Sequence, residues 1–254
     1  MKLDHVRFVI YPLIGIILVL LVWEGYVDLF KVNSIILPSP HAIWEAMGRN
    51  FALLLREAWP TFLESAYGFA LAVLIGIPMA VAVANSRILN LTLYPIFVAT
   101  QSIPKVAVAP IVLVWFGFGL QSKLAIAFLV AFFPIVVDTA TGLAATPSGL
   151  LELAHSLRAS RWQVFWKVQF PAALPHIFAG AKVAVTLAVV GAVIGEFISS
   201  NNGLGNLLLS ANSQLNGPLA WAALVWLSAL GVGLFLAVAA VEWLVMPWSR
   251  LGAH

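Results

Sequence analysis

The chain of 254 residues contains no cysteine, and only 9% of its residues are charged. The first absence excludes disulfides, thiolate metal sites and thiol catalysis, and leaves the redox character of the compartment open. The second excludes an ordinary soluble domain, in which about a quarter of residues carry charge. Its five histidines, at 5, 41, 155, 176 and 254, are dispersed and form no His-Glu-x-x-His motif, which weighs against an intramembrane enzyme. No Gly-rich loop ending in Lys-Ser or Lys-Thr occurs, so ATP cannot be bound by that route. The net charge of +3 is spread among loops and does not mark a nucleic-acid partner.

What is present is apolar: 62% of residues are hydrophobic, and mean hydropathy is +1.02. A bilayer core about 30 Å thick is crossed by about 20 residues of helix. Six segments meet this length, at about 8–29, 61–84, 92–116, 123–145, 177–199 and 219–245. They predict an all-α, polytopic membrane protein built as one domain over 1–254, bathed in lipid, with no block left for a soluble catalytic domain. The run from Phe8 to Trp23 exceeds the apolar core of a signal peptide and lacks a small-x-small cleavage site, so it reads as a retained first span.

Orientation follows from Lys and Arg in the connections. With a cytoplasmic N-terminus, Lys2, Arg7, Arg87, Arg158, Arg161, Lys167 and Arg250 lie inside. Lys31, Arg49, Arg56 and Lys123 lie outside, a bias of seven to four. Both termini are then cytoplasmic, and the uncharged loop Ser200–Pro218 is external.

After the first span, Ser39-Pro40 predicts a helix start. Ile43, Trp44, Met47, Phe51, Leu54, Leu55 and Ala58 then recur at helical spacing, predicting an interfacial amphipathic helix over about 39–58. The third span is interrupted by Gln101-Ser102-Ile103-Pro104-Lys105 and by Pro110. Prolines free carbonyls, which in membranes must meet protein or a watery cavity. Lys105 either serves a pathway, snorkels, or pairs with an acid such as Asp138 or Glu196. Lys182 and Glu196 share a helix face roughly 21 Å apart, so each needs a partner from elsewhere. Glycine and alanine are dense in the second and fifth spans (Gly68, Ala72, Gly76; Gly180, Ala184, Gly191), as close helix packing requires.

Between the fourth and fifth spans lies a polar, basic insert, about 146–175, with its own helical periodicity. Thr146-Pro147 starts a helix with Leu150, Leu153, Ala154 and Leu157 on one face. Ser160 can cap a second helix carrying Trp162, Phe165 and Trp166, and Pro171 and Pro175 punctuate the return to the membrane. Such a knob, with small side chains Ala154, Ala159 and Ser160 taken as exposed, is suited to close approach by another protein.

The insert resembles the coupling loop of ATP-binding-cassette import permeases, whose pattern is Glu-Ala-Ala, three residues, Gly, nine residues, Ile, one residue, Leu-Pro. Glu152, Ala154 and Pro171 match in register. Leu153, Val168 and Phe170 are mild replacements, and Arg158 stands where the pattern has Gly. Leu37-Pro38-Ser39-Pro40, Ile103-Pro104 through Trp115-Phe116-Gly117, and Glu196 through Gly203-Leu204-Gly205 are similar to the subfamily for sulfonates, taurine, nitrate and vitamin precursors. The segment around Gln101–Lys105 looks most like permeases for thiamine-precursor pyrimidines and riboflavin. The resemblance implies a type I importer fold of six membrane helices in a bacterial inner membrane, working as a homodimer with two ATPase subunits and an extracytoplasmic binding protein. ATP and Mg belong to the ATPase, and no cofactor to this chain. It also implies coupling residues Glu152, Ala154, His155, Leu157, Arg158, Ala159, Ser160 and Pro171, and a pathway near Gln101, Pro104, Lys105 and Glu196. An intramembrane enzyme lacks its constellation here. A secondary transporter would more often show repeated broken helices, and a purely structural subunit would not require the knob.

Overall fold

A computed structural model describes residues 2–199 and 201–247, with side chains from residue 10 onward. Lys2, Arg7 and Arg250, used above for orientation, fall outside the described side chains. The chain is helical almost throughout: α1 (Lys2–Phe30), α2 (Pro40–Arg49), α3 (Phe51–Asn85), α4 (Arg87–Gln101), α5 (Lys105–Phe116), α6 (Leu120–Ala144), α7 (Ser148–Ser156), α8 (Arg161–Val164), α9 (Phe170–Ser199), α10 (Leu204–Ser213) and α11 (Gly217–Val245). Among the described residues five helical runs are long and apolar enough to cross a membrane, and six if α4 with α5 counts as one.

The centre is a three-helix packing of α3, α6 and α9. Lipid is as apolar as leucine, so helices associate through close packing and interhelical hydrogen bonds. Ala127 of α6 shows how close: a Cβ added to Gly68 of α3 would lie 2.5 Å from its Cβ, and one added to Gly191 of α9 would lie 2.7 Å from its Cα. Buried Ala72, Ala131, Ala184 and Ala188 continue the seam, filled by Phe132, Ile135 and Val136. α1 is peripheral, its side chains largely exposed along the apolar run, and Trp23 packs on Trp221 of α11 at 5.2 Å between ring centroids.

Several expected boundaries move. The amphipathic helix is α2 alone: Ser39 Oγ accepts from the Ala42 N–H at 3.2 Å at its start, and Asn50 donates to the Ala46 carbonyl at 3.0 Å at its end. Residues 51–58 instead open α3, which runs through Pro60 and Pro78 without a break. The third expected span is bent by 106° between α4 and α5. The break is at Ser102–Pro104, while Pro95 and Pro110 lie inside the two helices. The second insert helix does not stand alone. α8 passes through a π-helical turn, Phe165–Gln169, into α9, so Pro171 and Pro175 sit within the helical run and do not interrupt it. A wider turn loosens the backbone just ahead of a proline that has no N–H to give. The expected external loop contains α10, whose Leu204, Leu207, Leu208 and Ala211 recur at helical spacing.

Candidate functional site

Three features concentrate the polar chemistry. The first is the insert. α7 ends in a Schellman turn: Arg158 donates to the His155 carbonyl at 2.9 Å and Ala159 to that of Ala154 at 3.0 Å. Arg158 takes φ +54°, the left-handed conformation that glycine adopts freely. The Arg-for-Gly replacement therefore keeps the turn geometry at the cost of strain. Ser160 then closes a capping box, its Oγ accepting from Gln163 N–H at 3.3 Å while Gln163 Oε1 accepts from Ser160 N–H at 2.9 Å. Glu152, His155, Leu157, Arg158 and Ser160 are exposed, and Pro171 is half-buried at the start of α9. Ala154 is buried and Ala159 half-buried, which corrects the expectation that both are displayed. The Ala159 N–H to Ala154 carbonyl bond draws the chain after α7 back over Ala154. Beside the exposed Glu152 and His155, α7 and its C-cap display apolar side chains: Leu150, Leu153 and Leu157 are 47%, 57% and 73% exposed.

The second feature is the α4–α5 break. Ser102 and Ile103 N–H groups close onto the carbonyls of Ala99 and Thr100, at 3.1 and 3.2 Å. The Gln101 carbonyl is taken by the Lys105 ammonium. A cation thus caps the negative end of α4. Gln101 and Pro104 are exposed and Lys105 is half-buried. The structure does not join Lys105 to Glu196 or Asp138.

The third feature lies at the opposite end of α9 from the insert. Glu57, Thr61 and Glu64 share one face of α3 at helical spacing and are buried. Lys123, expected in an external loop, is buried at the start of α6 and pairs with Glu64 at 2.6 Å. Its Nζ also donates to Asn202 Oδ1 at 3.3 Å. Glu196 of α9, 1% exposed, faces protein: Thr61 Oγ1 donates to its Oε1 at 2.6 Å and Gly205 N–H to its Oε2 at 2.6 Å. The N-terminus of α10 is capped by other helices. Gly203 N–H donates to Glu57 Oε2 at 2.8 Å and Leu204 N–H to Thr61 Oγ1 at 2.9 Å. Gly203 has φ +103°, and an added Cβ would fall on the Glu196 carboxylate, so only glycine fits. Sequence reasoning picked out Glu196 but missed Glu57, Thr61, Glu64 and Lys123. The available signal was polar residues at 57, 61 and 64 along one helical face. Lys182 finds Glu242 of α11 at 2.8 Å, a pairing from another helix as its position demanded.

An open cavity of about 530 Å³ adjoins this network, lined in part by Glu64, Tyr67, Phe118, Lys123 and Asn202.

A helical bundle with a broken span and a helical insert is the architecture of a multi-pass membrane protein. The chain belongs to the family described as binding-protein-dependent transport system inner membrane component, whose model matches residues 72–246. It is a permease subunit of an ATP-binding-cassette importer, a multi-pass protein of the inner membrane. The chain is 35% identical to the riboflavin transport system permease protein RibX of Chloroflexus aurantiacus, over 94% of this chain and 91% of the relative. It is 32% identical to the formylaminopyrimidine transport permease protein ThiX of Halalkalibacterium halodurans, over 94% and 96%. An inward-facing structure of the MetNI methionine ABC transporter has the same fold, with a TM-score of 0.68 at 24% identity, covering 78% of this chain and 98% of that one.

Proposed function

We propose that this permease moves a small heterocyclic vitamin or vitamin precursor, delivered by an extracytoplasmic binding protein, and that its 146–175 insert seats in a separate ATPase subunit. The observation that carries the coupling role is the outward apolar face of α7. A nine-residue helix that, with its C-cap Leu157, leaves Leu150, Leu153 and Leu157 uncovered beside the exposed Glu152 presents a docking ridge to a partner protein. α8 continues through the π turn into α9, so a push on the knob is delivered directly to a central helix. ATP and Mg are held by two ATPase copies, a second identical permease chain completes the pathway, and both termini face the cytoplasm. The wider subfamily reading spans sulfonates, taurine, nitrate and vitamin precursors, and the heterocycle is the narrower choice within it. The names of the two relatives above support the narrower reading.

Gln101, Pro104 and Lys105 remain the pathway residues in this reading, because the bend exposes Gln101 and Pro104 beside the half-buried Lys105 where a lipid-facing helix would have no reason to break. Glu196 leaves that set and acts through the α10 attachment. The test is uptake by the permease reconstituted with its ATPase and binding protein, with riboflavin, a formylaminopyrimidine, taurine and nitrate as separate solutes. Glu152→Lys and Ala159→Trp should abolish uptake and ATPase association while leaving membrane insertion intact. Normal uptake in both variants contradicts the coupling role, and uptake of taurine or nitrate alone contradicts the heterocycle.

A further inference from the structure

A groove of about 450 Å³ runs between α3, α9 and α11, lined only by apolar side chains, among them Phe69, Val73, Phe170, Phe178, Ala181 and Val238. α9 packs on both α3 and α11, which meet each other far less, so the groove opens between those two. On α9 it extends from Phe170 to Val185, about 22 Å of helix, which exceeds the half-thickness of the apolar core that one leaflet's tails fill. Such a groove in a bundle bathed in lipid is filled by hydrocarbon, and its length suits an acyl chain lying along the helices.

The end of the groove nearest the insert specifies the headgroup. Trp166 packs on the groove-lining Phe170 at 5.1 Å between ring centroids, and Trp162 packs on Trp166 at 5.5 Å. Both tryptophans are exposed, as indoles are where a span meets the headgroup layer. Arg161 and Lys167 are exposed beside them, and no acid occurs in the sequence from Arg161 to Gly195. Glu242 of α11, next to the groove-lining Val241, is paired with Lys182 at 2.8 Å and so does not offset these cations. A basic, tryptophan-bearing mouth on an apolar groove is complementary to a negatively charged headgroup with its tail inside. A second copy of the chain has another face to take. Val183, Val190 and Phe197 are exposed along the opposite side of α9, and packing on that stripe leaves the groove to lipid.

We infer that the groove between α3, α9 and α11 is a binding site for an anionic phospholipid of the leaflet on the insert's side, its acyl chain between the three helices and its phosphate held by Lys167 and Arg161. The bound lipid fills the space between α11 and α3 and ties the π turn ahead of α9 to the membrane surface. The site is independent of which solute is carried and of how α7 meets the ATPase.

Native mass spectrometry of the full-length chain, released from nanodiscs of equal phosphatidylcholine and phosphatidylglycerol, tests this. The wild type should retain phospholipid, with phosphatidylglycerol in excess. Lys167→Gln and Arg161→Gln should each cut that preference about fivefold, the worth of one basic residue at an anionic surface, while lipid is still retained. Ala237→Trp, at an exposed position lining the groove, should fill it without disturbing the bundle core and abolish retention of both lipids. Ala237→Cys, in a chain with no other cysteine, reports a different occupant: under oxidation it should stay monomeric. No retained lipid in the wild type, retention unchanged in Ala237→Trp, or a phosphatidylglycerol preference that survives both charge removals would each overturn the inference. A disulfide between two Ala237→Cys chains would overturn it too, by placing a second copy in the groove.

Discussion

Lys123 and Glu64 form an ion pair at 2.6 Å with side chains 6% and 2% exposed, joining the start of α6 to α3 at the end of the bundle opposite the insert. Removing the lysine leaves buried acid without its cation. Lys123→Met is expected to cost about 3–5 kcal/mol, the range for breaking one side of a buried pair. Arg56→Ala, at a pair whose arginine is 74% exposed, should cost less than about 1 kcal/mol. Thermal unfolding of both variants of the full-length chain in nanodiscs measures the difference, and equal effects would contradict a buried role for Lys123.

Gly203 is the hinge of the α10 attachment. Gly203→Ala places a side chain at positive φ, a strain of about 1–3 kcal/mol, and directs it at the Glu196 carboxylate. Hydrogen exchange should accelerate through 204–213 and leave α11 unaffected. Unchanged protection of α10 would show that the cap across helices does not hold it.

The membrane runs were legible because a stretch of apolar residues has one favourable fate, and the Pro104 break because a missing N–H shows in the sequence. Lys123 was not legible. Beside Gly117, Gly119, Gln121 and Ser122 it resembles a loop-end cation, and its burial depends on an acid 59 positions away. The end of α2 at Asn50 was hidden because the apolar spacing continues unbroken into α3. α10 is hidden because the stretch between 200 and 218 has no charge to mark a polar face opposite its leucine spacing. The insert's outline was read from its caps, but which alanines it buries depends on how the Schellman turn folds back.

Arg158 carries the strain of that turn. Arg158→Gly should stabilise the insert by about 1 kcal/mol, since a left-handed non-glycine residue costs about that much. The readout is slower hydrogen exchange across 153–160. Faster exchange would mean that the arginine side chain, and not the backbone geometry, holds the turn.

Lys105 caps the end of α4 and stands at the exposed bend. Lys105→Met should loosen the break and reduce uptake for charged and neutral solutes alike, whereas a direct charge contact would penalise anions selectively. Cysteine at Gln101 should react with a water-soluble thiol reagent and be protected by transported solute. No reaction in any state would remove this bend from the aqueous pathway.

The central claim is that α7 presents its leucines to the ATPase. With no other cysteine in the chain, Leu157→Cys can be cross-linked in the assembled transporter through a short thiol-reactive linker. The account predicts a permease–ATPase product whose yield changes on ATP binding, and none from Trp44→Cys on α2, equally exposed at the other end of the bundle. An assembled, transporting complex in which Leu157→Cys gives no product while Trp44→Cys does would contradict it.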